Sequence, residues 1–397
     1  MTAIAAATAD VVVVGGGIIG CAIVWQLAQR LPRTARIVLI DRGPIAGATS
    51  GSCMGHLMVT PDDAQEYAFS HASVQLWREL QDQQGGFDYN PTGALYLADD
   101  PADIALFANL QAQFVACGDR AEILDQQQLR ELEPGLAHDL PGALFYPGDG
   151  VVLPMTACGA MLRAAQTAGP RVDVLPYTPL TSVLREGDRI TGVVTSTGPI
   201  SSPNIVLACG VWTPEVGALA GLPKLPIVPR AGNLAITAHH ASPIRTQLLE
   251  ISYLRFAHGA ATVDPTLIGA DQGGHAVNMQ PQSLGGCLIG STRQFRGMNR
   301  ELNHELLHRS LLRAARYAPA LLDLPIVRTW VGLRPFSLDK HPLIGPWPLL
   351  RGLWIAAGHE GLGISLAPIT GQLIAQQMLG LPCSIDHRPY LPARVVA

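Results

Sequence analysis

"DVVVVGGGIIGCAIVWQLAQR", residues 10–30, decides the fold. Its four consecutive valines read as a strand buried on both faces. Three glycines break that strand, and Ile23, Val24, Leu27 and Ala28 then recur at helical spacing. A second apolar strand, "ARIVLIDRG" (35–43), ends at Asp41. Gly15, Gly17 and Gly20 therefore match G-x-G-x-x-G with a strand before, a helix after and an acid closing the next strand. Gly15 permits the tight turn, Gly17 lets a pyrophosphate approach the backbone, and Gly20 lets the helix pack on the strand. The positive helix N-terminus faces the phosphates. A carboxylate at Asp41 suits ribose hydroxyls and argues against a 2′-phosphate. On this fingerprint alone the ligand is NAD or FAD.

A second strand, glycine turn and helix occur in "GLWIAAGHEGLGISLAPITGQLIAQQML" (352–379). That unit can aim another helix N-terminus at the same ligand. It favours FAD, because the flavin edge gains negative charge on reduction; a helix N-terminus there stabilises the reduced form by roughly 0.3–1 kcal/mol. Between the two units the texture changes. Residues 64–82 are expected to be helical, with shorter helices at 101–117 and 125–132. Residues 225–294 are rich in strand patterns, and a helix is expected at 301–317. The simplest account is an α/β, Rossmann-like FAD-binding domain (1–85, 142–224 and 325–397). It is interrupted twice by a mostly antiparallel β-sheet (α+β) substrate domain (86–141 and 225–324).

Composition narrows the class. A chain of 397 residues is too long for one ordinary core. With a net charge of -4 and no Lys/Arg-rich tract, nothing suggests nucleic acid. The 7 cysteines form no Cys-x-x-Cys pair, which fits reduced thiols in a cytoplasmic protein. "MTAIAAATAD" lacks the basic start of a signal peptide. The apolar run at 10–30 is short and glycine-broken, so no integral membrane segment is expected, and peripheral membrane contact stays open.

Two further stretches carry candidate chemistry. In "TWVGLRPFSLDKHPLIGP" (329–346), Arg334 sits in a sequence suited to burial and needs an anionic partner. One reading is an internal salt bridge to Asp339. The other is a fork for a substrate carboxylate, where bidentate geometry fixes orientation as well as charge. In "SGSCMGHL" (50–57), Cys53 and His56 stand three apart, but a zinc site needs two more ligands and no second pair has metal spacing. A nucleophile–base pair there lacks a third, orienting residue.

Five segments taken in order are identified as those of the D-amino-acid oxidase (DAO) family of FAD-dependent oxidoreductases. They are "VVVVGGGIIG", "IDRGPIAGATSGS", "IVLACGVWTP", "VGLRPFSLDKHPLIG" and "AAGHEGLGISLAPITGQL". The family includes glycine oxidase, sarcosine oxidase and several amino-acid dehydrogenases. Within it, "ATSGSCMGHLMVTPDD" (48–63) and "IGSTRQF" (289–295) resemble the β subunit of D-hydroxyproline dehydrogenase.

The resemblance implies FAD held non-covalently by Gly15, Gly17, Ile18, Ile19, Gly20, Asp41 and Arg42. It places Thr49, Ser50, Gly51 and Gly55 along the phosphates, ribityl chain and ring, and Cys209, Gly210 and Trp212 beside the third strand. Gly332, Gly358, His359, Gly361, Leu362 and Gly363 would meet the flavin edge. Arg334 would hold the substrate carboxylate while the α C–H points at flavin N5, and hydride transfer would give an imine. His56 occupies the step beside the ring, where it would touch flavin or substrate or serve only in packing. Related oxidases put a tyrosine on the substrate-domain strand; the matching stretch here offers Asn278 and Gln280, with Tyr253 nearby. No cysteine follows the arginine motif, and Lys224 and Lys340 are the only lysines, so neither a covalent flavin nor an oxygen-activating lysine is expected.

The activity implied is oxidation of a cyclic or secondary D-amino acid, 4-hydroxy-D-proline above all. Electrons would pass to a partner subunit or quinone. A glycine or sarcosine-type oxidase releasing peroxide is the alternative. An electron-relay subunit with its substrate site elsewhere is an alternative of another kind.

Overall fold

The computed structural model describes residues 7–61, 63–239, 242–251 and 277–396. Among them the strands form four sheets. The largest two carry the site.

The first is six-stranded, in the order Arg171–Leu175, Arg36–Ile40, Val11–Val14, Ile205–Leu207, Leu353–Ala357 and Leu343–Pro346. All neighbours run parallel except the last pair. The valine strand and the strand Leu353–Ala357 thus flank Ile205–Leu207, so the two glycine turns leave the same end of one sheet. Helices Ile18–Ala28, Pro154–Ala168 and Gly363–Met378 cover one face. Helix Ile18–Ala28 is buried on nearly every side, which is why its sequence is apolar all round. Glycines set the spacing: a Cβ on Gly371 would meet the carbonyl oxygen of Ala22 at 2.4 Å.

The second sheet is eight-stranded and antiparallel except between Gln247–Glu250 and Ala94–Leu97. Two long strands, Ile227–Thr237 and Ile326–Ser337, pair along nearly their whole length at its edge. Ile326–Ser337 and Gly142–Tyr146 both hydrogen-bond in this sheet. The sequence-based division places both in the nucleotide unit, because each adjoins a segment of that unit in the chain; strand pairing is set by long-range register instead. The helix expected at 301–317 begins at His304, where the Asn303 side chain caps the Leu306 N–H. The helix expected at 64–82 runs Ala64–Gln84, and those at 101–117 and 125–132 run Pro101–Ala116 and Gln126–Leu132. No helix among the described residues is long and apolar enough to cross a membrane.

Candidate active site

The Val11–Val14 strand hands the chain to a turn that only glycine can make. Gly15 has φ +109°, and a Cβ there would lie 2.4 Å from the Ala208 carbonyl oxygen. Gly20 is needed for packing, since its Cβ would come within 1.9 Å of the Gly15 carbonyl oxygen. The first helical N–H, on Ile18, donates to Ser50 Oγ at 2.9 Å, which ties the 49–52 segment to the turn. Asp41 braces the same turn, accepting the Gly16 N–H and the Gly43 N–H, each at 2.7 Å. Beside it the Arg42 guanidinium lies 4.2 Å from the centre of the Trp212 ring.

The far end is built on the paired long strands. Arg230 and Arg334 are cross-strand partners. Arg334 donates from Nη1 to the Thr292 carbonyl at 3.1 Å and from Nη2 to Ser291 Oγ. Arg230 lies 5.4 Å from the centre of the Phe295 ring and 5.3 Å from that of Phe336. Its Nη1 meets the Glu360 carboxylate at 3.1 Å. Burial pushes the Glu360 carboxyl up, but Arg230, Arg334 and Arg293 outweigh it and hold the group below its ordinary value. Glu360 is itself left-handed, at φ +49°. Asp339, the internal partner the sequence offers for Arg334, is bound instead to Arg394 at 2.6 Å and to the Ser337 hydroxyl. The strand that carries Arg334 ends at Ser337, and Asp339 lies beyond it in an exposed turn.

One cavity of about 410 Å³ joins these ends. Of the residues expected to hold a cofactor or substrate, Gly15, Gly17, Ile18, Ile19, Asp41, Arg42, Thr49, Ser50, His56, Cys209, Gly210, Trp212, Asn278, Gly332, Arg334, His359, Gly361, Leu362 and Gly363 line it. Gly20, Gly51, Gly55 and Gly358 stand behind the wall. Gly51 and Gly55 are small for a different reason from the one expected: Cβ atoms there would strike the Ala46 oxygen at 2.4 Å and the Val152 oxygen at 1.6 Å. Gly358 takes φ +90°, with its Cβ direction filled by Ser337. Gln280 is spent on structure, accepting the Gly55 N–H at 2.9 Å. Tyr253 lies outside the described residues.

The two histidines are alike in charge. Burial lowers both His56 and His359 to about 3, so both are neutral at ordinary pH. His359 Nε2 lies 2.9 Å from Thr370 Oγ1. His56 Nε2 has no hydrogen-bond partner among the described residues and is itself buried, so the ring meets the cavity through its other atoms. A neutral, buried His56 is a hydrogen-bonding group and a poor proton shuttle, which narrows the role its position suggests. Burial pushes the Cys53 and Cys209 thiols up to about 12, so neither cavity cysteine is a thiolate.

Glu360 and Ser291 line the cavity without having been singled out in the sequence. A charged residue inside the glycine-rich turn "GHEGLG" was a usable signal for the first; nothing local marked the second. An elongated ligand with a nucleotide at one end and a redox ring at the other fits this lining. The phosphate-turn glycines and a helix N-terminus lie at one end, and a second glycine turn and helix N-terminus at the other.

Comparison with known proteins agrees. The family model described as DAO, FAD dependent oxidoreductase, matches residues 10–377. The hydrogen cyanide synthase subunit HcnC of Pseudomonas aeruginosa is 28% identical, over 98% of this chain and 96% of that protein. The glycine oxidase of the same organism is 29% identical, over 96% of this chain and 98% of that protein. The solved structure of L-proline dehydrogenase from P. horikoshii superposes with a TM-score of 0.84 at 25% identity, covering 98% of each chain.

Proposed function

The chain belongs to the DAO family of FAD-dependent oxidoreductases, and on that premise we propose that it oxidises the C–N bond of a small amino acid. The substrate we favour is a cyclic or secondary D-amino acid, 4-hydroxy-D-proline in particular, with electrons leaving to an acceptor other than oxygen. The observation that carries the reading is Arg334. It faces the same cavity as both glycine turns, braced by the Thr292 carbonyl and the Ser291 hydroxyl.

FAD supplies, when bound, a two-electron acceptor for hydride. This chain's residues do the rest. Gly15, Gly17, Asp41 and the Arg42–Trp212 pair would hold the nucleotide end non-covalently. The turn from Gly361 to Gly363 opens a 16-residue helix whose N-terminus would favour negative charge at the ring edge. Arg334 would fix the substrate carboxylate, and with it the direction of the α C–H. Leu234, Met54, Met58 and Leu333 give the cavity apolar walls that exclude water.

Similarity to an L-proline dehydrogenase supports a cyclic substrate, and neither of the chain's two lysines lines the cavity, which supports a dehydrogenase. Similarity to a protein named as a synthase subunit favours a second reading, that this chain works within a larger complex. The test is a panel of D- and L-amino and imino acids offered to the yellow protein, with air or with a dye acceptor. Dye reduction by cyclic or N-alkyl D-amino acids, in preference to their L forms and without peroxide, supports the proposal. Rapid peroxide from glycine or sarcosine replaces it with an oxidase, and no reduction by any of them leaves the relay reading.

A further inference from the structure

The end of the cavity that holds Arg334 carries a second charged group, Glu360. Glu360 lines the cavity and keeps 22% of its side chain exposed, so its salt bridge to Arg230 does not bury it completely. Its position is fixed from three sides. Arg230 Nη1 meets one carboxylate oxygen at 3.1 Å, and the Gly361 N–H donates to the other. The backbone is held at φ +49°, a conformation a glutamate adopts only when its surroundings impose it. The next residue, Gly361, brings this turn onto Arg334: a Cβ there would lie 3.8 Å from Arg334 Cδ and Nε. Glu360 and Arg334 thus line the same end of the cavity, near enough for the Arg334 charge to lower the Glu360 carboxyl. Each carboxylate oxygen can accept more than one hydrogen bond, so capacity remains for a donor from the cavity.

An α-amino acid presents the matching pair, a carboxylate and an amine one carbon apart. We propose that Glu360 determines specificity for amines: it accepts a hydrogen bond from the N–H of an amino acid whose carboxylate is held by Arg334. This rests on the reading of Arg334 as the carboxylate site. The bond would fix rotation about the Cα–carboxylate axis, which one arginine fork leaves free. It would also disfavour carboxylates that carry no donor at that position, because the spare acceptor capacity of Glu360 would then lose water without gaining a hydrogen bond.

The test uses two flat, redox-inert acids of nearly the same shape, pyrrole-2-carboxylate and furan-2-carboxylate. They differ in a ring N–H against a ring oxygen. Each is titrated into the FAD-loaded protein and binding is read from the flavin spectrum. The wild type should prefer the pyrrole acid by about tenfold or more, as expected for one charge-assisted hydrogen bond. Glu360→Gln keeps the size of the side chain and an acceptor for Arg230. It should cut the preference to about threefold or less and leave the furan acid bound as well or better. Glu360→Asp, which keeps the charge, should restore part of the preference. FAD content reports that each variant is folded. An unchanged preference in Glu360→Gln, or equal binding of the two acids by the wild type, overturns the role of Glu360 and leaves Arg334 standing. If the wild type binds neither acid, the carboxylate reading of Arg334 fails and this inference with it.

Discussion

Arg230 and Arg334 face each other across adjacent antiparallel strands, in a register that also sets Gly232 opposite Gly332. Like charges at that spacing repel, and Glu360 joins them as the carboxylate bound to Arg230. Removing Arg230 should release Glu360 toward Arg334 and compete with the substrate carboxylate. Arg230→Leu is expected to raise KM by about tenfold and to cost about 1–3 kcal/mol of stability. Steady-state kinetics and a denaturant titration check both.

The nucleotide turn should be intolerant of a single methyl group. Gly15 combines φ +109° with backbone 2.4 Å from its Cβ direction, so Gly15→Ala is strained twice over. The variant should lose about 1–3 kcal/mol of stability, and FAD should bind at least tenfold more weakly. Fluorescence of released flavin during dilution measures the second effect.

Stability should fall in mild acid. His56 and His359 are buried with folded values of about 3, while an unfolded histidine titrates near about 6.5. Between those values the unfolded chain binds protons that the folded one refuses, so stability rises with pH there and is lost as pH falls from about 6.5 toward 3. Each histidine should contribute on the order of 1–2 kcal/mol of loss by about pH 5. His359→Gln, whose amide extends about as far as Nε2 does toward Thr370, should show a shallower fall in Tm over that window than the wild type.

The flavin should leave the protein on denaturation. Cys53 and Cys209 line the cavity as protonated thiols, and a thiol is a poor nucleophile toward a flavin ring. Acid precipitation is expected to give a colourless pellet and a yellow supernatant.

Much of this architecture was legible in sequence because its signals are local. Gly15, Gly17, Gly20 and Asp41 lie within one strand–helix–strand unit, where a residue's job follows from neighbours a few positions away. Arg334 stood out because a cation in an apolar run demands an explanation. What the sequence does not show depends on register between distant strands. Nothing near Arg230 says that it will face Arg334, 104 residues on by the cross-strand pairing. Gly55 looked like a ligand-side glycine in its own segment, yet the atom that forbids a side chain belongs to Val152. Asp339 was the obvious partner for Arg334 by proximity in the chain, but the C-terminal Arg394 holds it.

The most direct test of the account is anaerobic mixing of the FAD-loaded protein with the best amino acid of the panel, in wild type and in Arg334→Ala. If Arg334 anchors the carboxylate, the variant keeps its FAD and its fold while the apparent Kd for substrate rises by about a hundredfold or more, the loss of two charge-assisted hydrogen bonds. Flavin reduction with the same Kd and rate in both proteins would contradict the claim that this cavity is where the amino acid is oxidised.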